Sequence, residues 1–88
     1  MPQFMWEVDV PTERIDTGER GAHVCTGLAE NGHQARQAAQ RALETAFLYI
    51  MADQDIPTAT RRTDWSARGL RPGWNLHWDQ AEHKGIDR

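Results

Sequence analysis

The 88-residue chain has a single cysteine, Cys25, so no internal disulfide is available and the fold needs no oxidising compartment. No apolar run approaches the ~18–20 residues that would span a bilayer. The N-terminal stretch MPQFMWEVDV has no basic region ahead of it and is interrupted by Glu7 and Asp9, so it does not read as a signal peptide. There is no internal repeat and no low-complexity segment. Also missing are CxxC, HExxH, GxGxxG and GxxxxGK(S/T), a pair of carboxylates at catalytic spacing and a nucleophile–base motif. These absences predict a cytoplasmic, non-enzymatic protein that carries no cofactor and touches no membrane.

What is present describes a scaffold. With 39% apolar and 26% charged residues the chain belongs with globular rather than disordered sequences. Four tryptophans, Trp6, Trp65, Trp74 and Trp78, can each bury on the order of 150–250 Å², enough to supply much of a small core. Phe4, Trp6, Val8 and Val10 alternate with Met5, Glu7 and Asp9, the period of a half-buried strand. Pro11 is expected to end that strand. A polar connection with Gly18 and Gly21 follows, then a second strand over about 22–28, which makes a hairpin spanning 3–28. Setting Val8 opposite Val24 pairs Val10 with Ala22, Trp6 with Thr26 and Phe4 with Leu28. It also places Glu7 with Cys25 and Asp9 with His23 on the polar face.

The stretch 31–53 predicts one long helix. Asn31 suits an N-cap, Gln34 stands where a capping-box side chain belongs, and Ala35, Ala38, Ala39, Ala42, Ala46, Tyr49 and Ile50 recur at helical spacing. The stripe starts with alanines, which allow close approach to a sheet. It ends in Leu43, Phe47, Leu48, Tyr49, Ile50 and Met51, apolar nearly all round, so the helix end needs a cover. Pro57 closes the element. After a connection over 56–72, the alternation of Trp74, Leu76 and Trp78 predicts a third strand at 73–79, with 80–88 a frayed polar tail. The expected fold is therefore a single α+β domain over 1–79 in ββαβ order. A small three-stranded antiparallel-type sheet carries one long amphipathic helix on one face.

Three groups of side chains are candidates for function. The apolar helix end and the tryptophans, namely Phe47, Leu48, Met51, Trp65, Trp74 and Trp78, fit a protein partner, the simplest being a homodimer. Arg61, Arg62, Arg68 and Arg71, interleaved with tryptophan, give residues 56–75 a charge of +3 against −6 for the remainder, a pattern also suited to phosphates and unstacked bases. A nucleic-acid-binding regulator is the alternative function. His23 and Cys25, with Glu7 and Asp9 beside them and His77 in reach, hold metal-ligand chemistry or a thiol–imidazole pair. A further alternative is an anion at the Asn31–Gly32–His33 turn, where backbone N–H groups open a helix.

The stretch TGLAENGHQARQAAQRALETA resembles the final strand and helix of double-stranded RNA-binding domains. It is similar as well to the hairpin-then-helix units of HicB-type antitoxins. The first likeness implies duplex RNA binding by lysines at the helix start, where this chain has His33, Gln34 and Arg36, and it implies a leading helix where this chain reads as a strand. The second rests on a loose glycine-containing strand pattern. Neither likeness assigns a function.

Overall fold

The computed structural model describes residues 2–57, 61, 64–67 and 70–86. Two strands, β1 (Phe4–Arg14) and β2 (Arg20–Ala29), form an antiparallel hairpin, and α1 (Gly32–Met51) follows. Then come β3 (Trp74–Leu76), a 3-10 turn (Trp78–Gln80) and β4 (Glu82–Gly85). The sheet is four-stranded, with β1 at its centre, β2 along one side, and β3 and β4 end to end along the other. The helix lies on one face, so the α+β class and the ββαβ order hold, and the C-terminus adds the fourth strand.

Three expectations are corrected. β1 does not stop at Pro11 but continues to Arg14. Proline lacks an N–H, and at a central strand that usually costs a ladder bond. Here the Pro11 carbonyl accepts from His77 N at 2.9 Å. That places the missing donor beside the break between β3 and β4, where the neighbouring lane has no strand. Of the residues 80–88 expected to fray, Glu82–Gly85 instead form β4, antiparallel to the first half of β1. The third strand ends at Leu76 because the 3-10 turn intervenes; it shifts the register on β1 by three residues, its own length.

The hairpin register is also one residue away from the sequence expectation. Val8 stands opposite Cys25, Val10 opposite His23, Trp6 opposite Gly27 and Phe4 opposite Ala29. Because successive side chains alternate between faces, this moves His23 and Cys25 to the helix-facing side and leaves Glu7 and Asp9 on the other. Packing supplies the reason. Residues Ala35, Ala39, Leu43 and Ala46 of the helix are buried, and a helix lined with alanine can only approach a sheet whose upper face is also small. Cys25, Gly27 and Ala29 meet that need, whereas Val24 and Leu28 would hold the helix away.

Asn31 caps α1 by accepting from Gln34 N at 2.9 Å, and the Gln34 side chain reaches back to Glu30 N at 3.3 Å. At the other end Asp53 adopts a left-handed φ of 58°, and the amides of Asp53 and Gln54 donate to Ile50 and Tyr49. Val8, Val10, Cys25, Ala29, the buried helix face, Ala67 and Leu70 make up the core. Trp6, Phe47, Ile50, Ile56, Trp65, Leu76 and Trp78 pack around it half-buried.

Candidate functional site

The buried helical stripe runs Gly32, Ala35, Ala39, Leu43, Ala46, and Ile50 continues it half-buried. Phe47 packs against the core half-buried, as do Ile50 and Ile56. Leu48 and Met51, three residues apart and so neighbours on the helix surface, point away from it. They are 68% and 81% exposed. Ile56, Trp65, Ala67 and Leu70 of the returning segment join the core, and Leu48 and Met51 stay bare.

The tryptophans of the proposed binding set serve the fold. Trp65 donates from Nε1 to Leu28 O at 2.9 Å and lies on Gly27, so it fixes the returning segment to β2. Trp78 packs on the core, and its carbonyl accepts from the Arg36 guanidinium, which ties α1 to the 3-10 turn. Trp74 stands beside Gly21 at the turn end of the hairpin. Of the four candidate arginines, Arg61 pairs with Asp64 at 3.4 Å. Arg71 lines a cavity at Gly21. Arg62 and Arg68 lie outside the described residues.

The polar hairpin face divides in two. Cys25 is 1% exposed, and burial first, with the Asp9 carboxylate second, pushes its thiol up to about 11. A buried thiol that stays protonated is neither a good nucleophile nor a ready metal ligand. His23 is on the same face, and burial lowers its imidazole below the ordinary histidine range. His77 is elsewhere, 3.4 Å from Glu13. Among the described residues no three His, Cys, Asp or Glu side chains come together as a metal site. The one-residue change of register is what separates this set.

On the opposite face lies a cluster that the C-terminal strand completes. Lys84 of β4 stands across from Glu7 and pairs with it at 3.1 Å. That bond holds Glu7 below the usual carboxylate range. Asp9, two residues along the same face, is pushed up by burial and then by sharing a hydrogen bond with Glu7, and its Oδ1 is buried without a partner. The signal for this cluster was β4 itself; with 80–88 read as loose tail, Lys84 had no place on the sheet.

The anion reading of the Asn31–Gly32–His33 turn also meets a neighbour from β4. A side chain on Gly32 would collide with the His83 ring, which sits over the start of α1 and edge-on to Trp6. No helix among the described residues is long and apolar enough to cross a membrane. The chain matches no family model, no curated protein and no solved structure.

Proposed function

We propose that the chain is a small non-catalytic interaction module that self-associates through the C-terminal end of α1. The observation that carries this is the exposure of Leu48 and Met51, 68% and 81%, on adjacent turns of a helix whose other apolar residues are buried or half-buried. Burying such a side chain fully is worth about 1.5–3 kcal/mol. A second copy presents the identical patch, so a two-fold contact needs no other component. The sidedness of the helix supports the reading. Its opposite stripe already packs on the sheet, which leaves this face available without unfolding anything.

Sedimentation equilibrium tests the proposal. The wild-type chain is expected to form a reversible dimer as its concentration rises. The double substitution Leu48→Glu, Met51→Glu is expected to be monomeric with an unchanged circular-dichroism spectrum, since both positions are exposed. A wild-type chain that remains a clean monomer at high concentration removes the reading.

A further inference from the structure

Among the described residues β2 pairs with β1 alone, so its other side is an edge of the sheet. The direction of each backbone group along it follows from β1. The carbonyls of Met5 and Pro11 accept from Ile86 and His77 on the side away from β2. Residues directly opposite in an antiparallel pair share one state, both bonded to each other or both turned outward. Leu28, Thr26, Val24 and Ala22, opposite Met5, Glu7, Asp9 and Pro11, therefore direct their N–H and C=O groups out of the sheet. The Leu28 carbonyl agrees, because Trp65 Nε1 donates to it from outside the hairpin. That contact closes one end of the edge. The outward backbone groups of Ala22, Val24 and Thr26 have no partner among the described residues. Sheet edges are commonly blunted by lysine, proline, inward charge or a bulge. Over 21–29 β2 has no lysine, arginine, acid or proline, its register on β1 is unbroken, and Val24 is 52% exposed.

Charge on the adjoining face specifies what such an edge takes. On the face away from α1, Val24 stands in line with Asp9 of β1 and Glu82 of β4, and that row contains no base. The next row, Thr26, Glu7 and Lys84, is balanced by its ion pair. We propose that the edge of β2 over 22–26 accepts an extended peptide segment of a partner protein, with a lysine or arginine on the face away from α1. Main-chain bonds to Ala22, Val24 and Thr26 supply the pairing, and the alternate side chains supply the selectivity. Two strand spacings, about 9.5 Å, separate the incoming backbone from β1. A lysine and the Asp9 side chain close that gap between them. The lysine stem lies across the exposed methyl groups of Val24 while its ammonium reaches the carboxylate. The inference is independent of the contact at Leu48 and Met51.

The test is a nitrogen-15 NMR titration of the full chain at neutral pH with the end-blocked peptide Val-Lys-Val-Lys-Val, run beside Val-Glu-Val-Glu-Val. The lysine peptide is expected to give saturable shifts along β2 and to slow exchange of the Ala22, Val24 and Thr26 amides about tenfold near saturation. The glutamate peptide is expected to bind severalfold more weakly, by a margin that shrinks with added salt. Val24→Pro removes an outward N–H that the ladder to β1 does not use, so it is expected to keep the circular-dichroism spectrum and lose the peptide. Asp9→Asn is expected to bring the two peptides closer in affinity while leaving the edge as it is. If Val24→Pro does not fold, the Asp9→Asn comparison decides, and an affinity ratio it leaves unchanged overturns the proposal. Absence of saturable shifts at millimolar peptide overturns it too, as does equal binding of the two peptides or binding that a folded Val24→Pro retains. Slow exchange of the same three amides without peptide, deepening as the chain is concentrated, would overturn it in favour of a second copy on the edge.

Discussion

A Cβ on Gly27 would sit 2.5 Å from the ring atoms of Trp65, and one on Gly32 would collide with the ring of His83. The two collisions differ in what can move. The Trp65 indole is held by its bond to Leu28 O and packs on the core, so Gly27→Ala must displace it or the strand beneath it. Overpacking of that kind costs typically about 1–3 kcal/mol. His83 is exposed and can swing out, so a methyl group at Gly32, the first residue of α1, can be accommodated. Gly32→Ala is therefore expected to change stability by less than about 0.5 kcal/mol. Urea denaturation of the two variants checks the contrast, and equal losses at both positions would contradict it.

Asp9 carries a second prediction at the same scale. Its folded pKa is raised, so its contribution to stability is fully present below the ordinary carboxylate range and is lost as pH rises through the folded value. Glu7 runs the other way: its pKa is lowered, and what it contributes above the ordinary range fades as pH falls through its folded value. At neutral pH the ionised Asp9 is the unfavourable member of the pair. Asp9→Asn, whose amide can donate to Glu7, is expected to stabilise the chain by about 1 kcal/mol at pH 7. The gain should vanish below about pH 4, where the aspartate is itself protonated. Denaturation midpoints across that range measure it, and a difference independent of pH would contradict the assignment.

Among the elements, β4 departs furthest from the sequence expectation. It supplies Lys84 to Glu7, the Ile86 amide to Met5 O at 3.0 Å, and His83 to the start of α1. A chain ending at Ala81 is expected to lose roughly 1–3 kcal/mol, and the amides of Glu82, Lys84 and Ile86, which face β1, are expected to exchange slowly in the full chain. A frayed tail would show neither effect. The helix was legible from Asn31, Gln34 and the alanine stripe because those signals are local. β1 was legible from its alternation, although Pro11 hid its length, since only the neighbouring lane shows that the proline falls at a gap. β4 was not legible. The three-residue turn reverses which parity faces the helix, from Trp74 and Leu76 to His83 and Gly85, so a single alternating pattern cannot run through both strands. The register of β2 was misread for a similar reason. Small residues under an alanine-lined helix outweigh the hydrophobicity of Val24 and Leu28, and one strand's sequence does not contain that contest.

At the scale of the molecule, the principal extents of 42 × 26 × 16 Å describe a slab with one helix on one face of the sheet. A radius of gyration of 13.1 Å compares with about 12 Å for an average domain of this length. One helix cannot cover strands this long, so Ala67 and Leu70 complete the core and the cavity at Gly21 lies beyond the helix's reach. The candidate site was legible only in part: Leu48 and Met51 stood out as apolar, but which helical residues the returning segment would cover depends on where Trp65 docks. The bare helix end also has a charge signature. Glu44, Asp53 and Asp55 flank Leu48 and Met51 in sequence with no base between them. Pairing two copies there brings like charges together, so the dimer is expected to strengthen with added salt as the repulsion is screened. Sedimentation at low and high ionic strength reads this out, and dissociation by salt would point instead to contacts between opposite charges.

The adjacent carbonyls of Leu28 and Ala29 each receive an indole N–H, one from Trp65 at 2.9 Å and one from Trp6 at 3.2 Å. Trp6 belongs to the hairpin, whereas Trp65 belongs to the segment returning from the helix. Their emission therefore reports on different events. Trp65 brightness and colour change when the returning segment lifts from β2, and Trp6 responds when the hairpin comes apart or the His83 ring beside it moves away. In variants that keep Trp6 or Trp65 alone of the four tryptophans, the two serve as optical probes by which partial opening can be told from complete unfolding without a dye.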